Sequence, residues 1–348
     1  QRPIPSLLRK FSAPVKLEAN LSSEDLAVLM AHDPDPFARW DAGQRYSSGL
    51  VLDLVADRAA GRDLALPPAF VEAIEATAGD ESLEPAFRAE ALRLPSQGEL
   101  AQAMEIADVD GIHAVTEFVY DRLGDLLYNR FLALYVATEA ARKSVDLSTG
   151  EMGNRAFGNV LLAYLAASGR QEGRDLAKAQ VDAKVSMTMV MGGLYALNGI
   201  ACPERDAALA AFHERWHDRP MELDKWFSLT ATSTLPDTLD KVRGLLDHPG
   251  YDIGNPNRVR AVVGAFASGN QVRFHVADGA GYRFLADRVL ELETLNPQVA
   301  SRLVQPLTRW RHHEENRRRL MIEQLTRVAE MPGLSKDVFE IASKGLAG

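Results

Sequence analysis

The sequence has a single cysteine and fewer basic than acidic residues. Both facts exclude classes of function. Cys202 is its single cysteine, so it forms neither an internal disulfide nor a multi-thiolate metal site. The net charge of -9 disfavours binding to nucleic acid or to an anionic membrane, since both need a basic surface. No apolar run approaches the roughly 20 residues of a membrane span. We therefore expect no nucleic-acid or membrane partner. A single cysteine fits a reducing compartment without requiring one, and we expect a cytoplasmic location.

Short signatures of nucleotide-binding and serine-hydrolase sites are also missing. The sequence contains no G-x-G-x-x-G, no P-loop and no G-x-S-x-G. Its composition, 46% hydrophobic and 25% charged, is that of a folded chain with a sizeable core. The length of 348 residues alone suggests about two domains. No linker is evident after residue 20, which favours one continuous domain over 21–348.

Residues 1–20 differ in pattern from the rest of the chain. The sequence begins with Gln1 and lacks both an initiator Met and the features of a signal peptide, which is typical of a piece of a longer protein. Ser12–Glu18 alternates apolar and polar residues, as a half-buried strand does. A lone strand has no partner, so this segment is expected to be the last strand of a missing domain or an extension packed on the residues after it.

From Ser22 onward the pattern is helical. Ser22 and Ser23 precede two acids, as an N-cap does, and Leu26, Leu29 and Met30 keep helical spacing. Proline suits the first turn of a helix, and many prolines here mark predicted helix starts rather than breaks. Similar starts lie near Pro36, Pro67, Pro85, Ser96, Ser148, Pro203, Pro220, Pro236, Pro256 and Pro297. Pro306 should kink or divide the helical stretch 299–325. We predict an all-α fold, a superhelical array of antiparallel hairpins resembling an irregular HEAT or armadillo solenoid.

His213-Glu214-Arg215-Trp216-His217 matches H-E-x-x-H, which on a helix could bind zinc through both histidines and use Glu214 as a general base. A catalytic zinc site needs a third protein ligand. Zincins with a glutamate ligand carry it where this chain has Pro236, and no glutamate lies between Glu222 and Glu291. Pro220 also ends the helix soon after His217. We interpret His213, Glu214 and His217 as a chance match, with no metal site and no catalytic residue in this chain.

Arginines and helix starts are dense between residues 254 and 319. Arg258 and Arg260 follow an Asn-Pro helix start, and at i and i+2 they cannot point the same way. One is therefore structural and the other free to reach a cleft. Arg302 follows a second Asn-Pro start, and a guanidinium of this kind suits a carboxylate. The alternative is that these arginines only pair with acids between helices. The Arg317–Arg319 run and the His312-His313 pair are expected on a solvated, charged helix face, and His32, His113, His248 and His275 are scattered.

Several stretches in order along nearly the whole chain resemble the C-terminal part of the bacterial aminopeptidase N branch of the M1 zinc metallopeptidases. They are Pro5-Ser6-Leu7-Leu8-Arg9, Phe11–Leu17, Phe37–Ala42, Asp224-Lys225-Trp226-Phe227, Asn255–Arg260 with Gly264–Ala267, Asp278-Gly279 with Gly281-Tyr282, and Asn296–Leu303. The resemblance implies that residues 1–20 are the tail of a preceding β-sandwich and that 21–348 is the helical C-terminal domain. It also implies that the zinc site and the G-A-M-E-N motif lie upstream, because neither occurs here.

In that family the helical domain closes a chamber over the catalytic cleft. The resemblance implies that Arg260 and Arg302 bind substrate, meeting the carboxylate side of a peptide, while Arg258 is structural. It implies one zinc in the catalytic domain of the same polypeptide, peptide substrates, a monomer and no catalytic activity of this chain alone. Two alternatives stay open: a stand-alone helical-repeat scaffold that binds a protein or peptide, and an independent zinc hydrolase using the H-E-x-x-H match.

Overall fold

The computed structural model of the chain describes residues 3–15 and 19–347. Every regular element in these ranges is a helix, so the all-α prediction is confirmed for this part of the chain. The predicted β segment is not shown: Arg9–Phe11 is a short 3-10 helix, and residues 12–15 form no strand. Lys16, Leu17 and Glu18, the rest of that segment, lie outside the described residues. The boundary between 1–20 and 21–348 stays a prediction.

The α-helices are mostly short and follow one another closely along the chain. In order they are α1 (Ser23–His32), α2 (Pro36–Ala59), α3 (Pro68–Gly79), α4 (Pro85–Ala91), α5 (Gln97–Gln102), α6 (Val109–Leu126), α7 (Tyr128–Ala137), α8 (Glu139–Arg142), α9 (Thr149–Ala167), α10 (Gln171–Ala183), α11 (Met187–Leu197), α12 (Pro203–Trp216), α13 (Pro220–Thr232), α14 (Thr238–Leu245), α15 (Pro256–Val259), α16 (Ala265–Gly269), α17 (Gln271–Phe274), α18 (Ala280–Glu293), α19 (Pro297–Thr308), α20 (Glu315–Ala329) and α21 (Lys336–Ala347). A π-helical turn, Arg260–Gly264, joins α15 to α16, and a 3-10 turn, Trp310–His312, follows α19.

The helix starts follow the capping chemistry that the sequence predicts. Ser22 caps α1 in a capping box: its hydroxyl accepts from the Asp25 N–H at 3.2 Å, and the Asp25 carboxylate accepts from the Ser22 N–H at 3.2 Å. Pro36, Pro203, Pro220, Pro256 and Pro297 each open a helix as predicted. Pro306 divides its segment, since α19 ends at Thr308 and α20 begins only at Glu315.

Contacts within the chain form two compact units. The first comprises Gln1–Ser96 and Gly111–Leu197. Its central helix, α9, packs against α4, α7, α10 and α11. Tyr164 on α9 is fully buried, and its hydroxyl donates to the Leu92 carbonyl at 2.7 Å. Burial of this ring anchors the helix that its neighbours share.

The second unit comprises Gln97–Asp110 and Asn198–Gly348. In it α18 packs against α19 and α20, α21 packs against α19 and α20, and α13 packs against the π-helical turn. The core includes the buried rings of Phe227, Phe266, Phe274 and Tyr282. Among the described residues, no helix is both long enough and apolar enough to cross a membrane.

Candidate functional site

Arg302 lies on the exposed side of α19, a helix whose two faces are set by its sequence. The Asn296 side chain caps the helix by accepting from the Val299 N–H at 3.2 Å, and Pro297 occupies the first turn. Leu303, Val304 and Leu307 are buried among the residues of its inner face. Packing of this face fixes α19 and leaves the guanidinium of Arg302 at the surface.

A cavity of about 150 Å³ in the second unit receives that side chain. It is lined by residues of α5, the end of α16, α17, α19 and the following 3-10 turn, together with Ala107, His275, Arg309 and His313. Its lining residues are Gly98, Ala101, Gln102, Ala107, Ala267, Ser268, Gln271, His275, Arg302, Gln305, Pro306, Arg309, His312 and His313. None of these is Asp or Glu, so this wall offers no carboxylate to neutralise the arginines. An anionic group is the ligand that such a cavity favours.

The guanidinium of Arg302 makes no hydrogen bond or ion pair with any residue in the ranges 3–15 and 19–347. Two exposed arginines in other helices of this unit are paired instead: Arg243 with Asp240 at 3.0 Å and Arg319 with Glu323 at 3.8 Å. The alternative from the sequence, in which Arg302 only pairs with an acid of a neighbouring helix, therefore does not describe this structure. Its donors are free for an external acceptor.

Arg258 and Arg260 diverge as their spacing predicts. Arg258 is buried, and it donates to the carbonyls of Gly250 and Pro220, each at 2.8 Å, and to the carboxylate of Asp224. These contacts tie α15 to α13 and agree with a structural role for Arg258. Arg260 is exposed, and its Nη1 donates to Asn257 at 3.2 Å.

Arg260 opens the π-helical turn, in which the Ala265 N–H donates to the Arg260 carbonyl, five residues back. Turns of this kind shift the direction of the following side chains and are frequent at functional sites. Arg260 is not among the residues that line the 150 Å³ cavity. The structure thus places both predicted substrate-binding arginines at the surface of one unit but does not bring them into the same cavity.

One wall of the cavity is a buried histidine pair that the sequence interpretation missed. His275 and His313 stack with ring centroids 4.2 Å apart, and each is only 5% exposed. The Tyr282 hydroxyl lies 2.8 Å from His275 Nδ1. Burial, helped by the nearby charges of His313 and Arg317, holds the pKa of His275 well below its ordinary value. Burial, then Arg317 and His312, lowers the pKa of His313 to about 4. Both rings are therefore neutral near pH 7.

This wall also corrects the predicted surface position of His313 and Arg317. Arg317 is buried, donates through Nε to the His275 carbonyl at 2.6 Å and pairs with Asp110 at 2.6 Å. It thereby bridges segments 207 residues apart in sequence. His312 and Arg319 are exposed as expected. The charges around this segment resemble a solvated helix face locally, and only the long-range partner Asp110 shows that one guanidinium turns inward.

In the described structure the residues of the H-E-x-x-H match are not joined by a third metal ligand. His248 Nδ1 lies 2.9 Å from the Gly250 N–H and must accept from it, so the proton of the His248 ring is on Nε2. The N–H at His248 Nε2 therefore donates a hydrogen bond to His213 Nε2 at 2.9 Å, so the lone pair of that nitrogen is already used. Helix α12 ends at Trp216, before His217. Within the described ranges, no group of three or more His, Cys, Asp or Glu side chains is placed to hold a metal ion.

The electrostatics of this histidine cluster agree with that assignment. Burial, then the proximity of His248 and His217, lowers the pKa of His213. Burial, with Arg258 and His217, lowers the pKa of His248. Trp226 packs on His213 at 4.4 Å between ring centroids. His213, His248 and Trp226 thus form a packing cluster in which the pKa of both histidines is lowered. The zinc that the family resemblance implies belongs to the catalytic domain and not to this cluster.

Known proteins resemble this chain over nearly its whole length. A family described as a domain of unknown function with ARM repeats, DUF3458_C, matches residues 23–347. Aminopeptidase N of Escherichia coli (strain K12) is 37% identical over 346 residues, covering 99% of this chain and 40% of that protein. Aminopeptidase N of Caulobacter vibrioides is 39% identical over 349 residues, covering 99% of this chain and 39% of that protein.

A solved structure leads to the same group of proteins. The structure described as Legionella pneumophila aminopeptidase A in complex with aspartic acid matches with a TM-score of 0.88 and 30% identity. The match covers 100% of this chain and 41% of that one. This chain spans about two fifths of the length of its relatives, in their C-terminal part. The resemblance predicted from the sequence is confirmed.

Proposed function

We propose, since this chain belongs to the DUF3458_C family of ARM-repeat domains, that it is the C-terminal lid and substrate-chamber domain of a zinc aminopeptidase. The complete enzyme would remove N-terminal residues from peptides, and this helical part would limit entry to the chamber and hold the distal end of the substrate. The observation that carries the proposal is the match of 99% of this chain to the C-terminal part of two proteins named aminopeptidase N.

The chemistry of bond cleavage belongs to another part of the polypeptide in this proposal. Zinc in the catalytic domain would activate water for attack on the N-terminal peptide bond. The residues of this chain would bind and orient the substrate. Holding a substrate at its far end lowers the entropy that must be lost at the reacting bond. We further propose that the enzyme is a cytoplasmic monomer.

Arg302 and Arg260 are the residues we propose for substrate binding. The unpaired guanidinium of Arg302 lines a cavity without acids, which suits a peptide carboxylate. Arg260 is exposed and donates to a neutral amide, that of Asn257, so its charge is not neutralised there. The two side chains would contact different parts of a bound peptide, because they do not share a cavity.

The test is made in the complete enzyme. Arg260→Ala and Arg302→Ala should each raise KM for peptides while the zinc content stays that of the wild type. Arg311→Ala is the matched control, since Arg311 is exposed near the same cavity but stacks on Trp310 at 3.9 Å and does not line it. Unchanged kinetics in both Arg260 and Arg302 variants would refute the assignment of these residues.

A stand-alone scaffold that binds proteins or peptides through its helical repeats is the second candidate. The description of the family by ARM repeats alone favours it. The two candidates differ in what the gene encodes upstream. An in-frame segment with H-E-x-x-H, a glutamate ligand and G-A-M-E-N supports the lid, whereas a gene without these motifs would leave the scaffold as the function.

A further inference from the structure

The cavity that receives Arg302 holds a second arginine that no resemblance singles out. Arg309 lies seven residues after Arg302, directly after the last residue of α19, and seven residues of an α-helix rise by roughly 10 Å. Gln305 lies between them, and all three side chains line the cavity. Residues at i, i+3 and i+7 share one helix face. The cavity thus has a row of donors: a guanidinium at each end and an amide in the middle.

Arg309 is as free of partners as Arg302. No acceptor among residues 3–15 and 19–347 pairs with the guanidinium of either arginine. Two cations that share a cavity without a counter-ion repel each other, and a bound anion relieves that repulsion. The chain as a whole carries a net charge of -9, so acids are plentiful elsewhere. The cavity is therefore a positively charged region in a chain whose net charge is negative.

The rest of the wall contains no acidic side chain that would cancel the charge of the two arginines. His275 and His313 are buried, and burial lowers the pKa of both, so they stay neutral near pH 7. Gln271 and Gln305 supply neutral amides. A volume of about 150 Å³ exceeds the space that one water needs and admits small polar groups. The sign of a favoured ligand is thus determined by Arg302 and Arg309.

We propose that this cavity binds two carboxylates at once, and that Arg309 makes the complete enzyme favour peptides whose last residue is acidic. The inference rests on the proposed function, in which Arg302 meets the C-terminal carboxylate. The side-chain carboxylate of a terminal Glu would then reach Arg309. Arg309 is a specificity-determining residue in this account and has no part in the chemistry of cleavage.

The experiment uses the complete enzyme and four peptides: Ala-Ala-Ala-Glu and Ala-Ala-Ala-Gln, each as free acid and as C-terminal amide. The variants are Arg309→Gln, Arg309→Lys and Arg302→Gln, with Arg311→Gln as the matched control outside the cavity. kcat/KM is measured for each pair. Calorimetric titration of the zinc-depleted enzyme with the same peptides gives binding without activity. Thermal melting shows whether each variant folds.

The expected result separates the two arginines. Arg309→Gln should lower the Glu-to-Gln preference about tenfold, the effect of one charge-assisted hydrogen bond. Arg309→Lys should keep part of it. Arg311→Gln should leave the preference unchanged. Arg302→Gln should lower the preference for free acids over amides, which tests the proposed function by itself.

An unchanged Glu-to-Gln preference in Arg309→Gln would overturn the inference, even if Arg302→Gln behaves as expected. A change in melting temperature alone would also overturn it, because a cation at the end of α19 can stabilise the helix dipole without binding substrate. An unchanged acid-to-amide preference in Arg302→Gln would refute the proposed role of Arg302, and with it the premise of the inference. The two failures are therefore distinguishable.

Discussion

Replacing Arg258 by alanine should strongly destabilise the second unit. The side chain of Arg258 is 8% exposed and that of its partner Asp224 is 26% exposed. Besides this ion pair, the guanidinium holds two backbone carbonyls, those of Gly250 and Pro220. Alanine supplies none of these donors. The variant would leave a partly buried carboxylate and two carbonyls without their partner.

The magnitude depends on the burial of the pair. Removing one member of a buried, hydrogen-bonded ion pair costs about 3–5 kcal/mol, and the partial exposure of Asp224 places Arg258→Ala near the lower value, about 3 kcal/mol. The matched control is Arg260→Ala, two residues along the same helical segment. Arg260 is exposed, so its loss should cost under about 0.5 kcal/mol.

Urea unfolding at pH 7, followed by tryptophan fluorescence and by circular dichroism, measures both variants. Trp226 lies in the same unit and packs on Phe227, over whose ring Arg258 sits at 5.7 Å. Arg258→Lys should recover only part of the loss, because an ammonium cannot reproduce the planar fork. A cost below about 1 kcal/mol for Arg258→Ala would refute the assignment of this residue as a buried anchor.

Two further predictions concern the same unit. The pKa of His313 is lowered to about 4 in the folded chain, so the unfolded chain binds more protons as the pH falls from 7 to 5. This residue alone should then cost on the order of 2 kcal/mol of stability over that range. His313→Phe should remove that part of the loss in urea midpoints measured at both pH values, and an unchanged pH dependence would contradict the buried, neutral ring. Gly281→Ala should lower the melting temperature, because a Cβ there would overlap the Phe274 carbonyl. The control Gly244→Ala has open space around the new methyl group and should not lower it. Equal melting temperatures for the two variants would show that α18 does not approach that carbonyl closely.

Local signals in the sequence were sufficient to predict where helices begin. They were insufficient to predict which distant residues those helices contact. Ser22, Pro256 and Asn296 each mark a helix start through a cap or a fixed φ, which depends only on neighbouring residues. Pro236 was less accurate, since α14 begins two residues later at Thr238. The alternation of apolar and polar residues in 12–18 predicted a strand. Such a short pattern can occur without a neighbouring strand to pair with, so it is weak evidence for one.

The candidate site depends on contacts between segments far apart in sequence. The divergence of Arg258 and Arg260 was predictable from helix geometry, but which one turned inward depended on Asp224 and two carbonyls. The inward turn of Arg317 depended on Asp110, 207 residues away. Two further contacts likewise join segments far apart in sequence. His275 stacks on His313, and His248 forms a hydrogen bond with His213. Nothing in the local patterns identifies these partners.

The most direct test of the account is a paired measurement of zinc content and aminopeptidase activity on the 348-residue chain and on the complete polypeptide that contains it. We expect the chain alone to fold, to bind no stoichiometric zinc and to hydrolyse no peptide, with His213→Ala changing neither result. The complete polypeptide should bind zinc and release N-terminal residues. Stoichiometric zinc and hydrolysis by the chain alone, both lost in His213→Ala, would contradict the account.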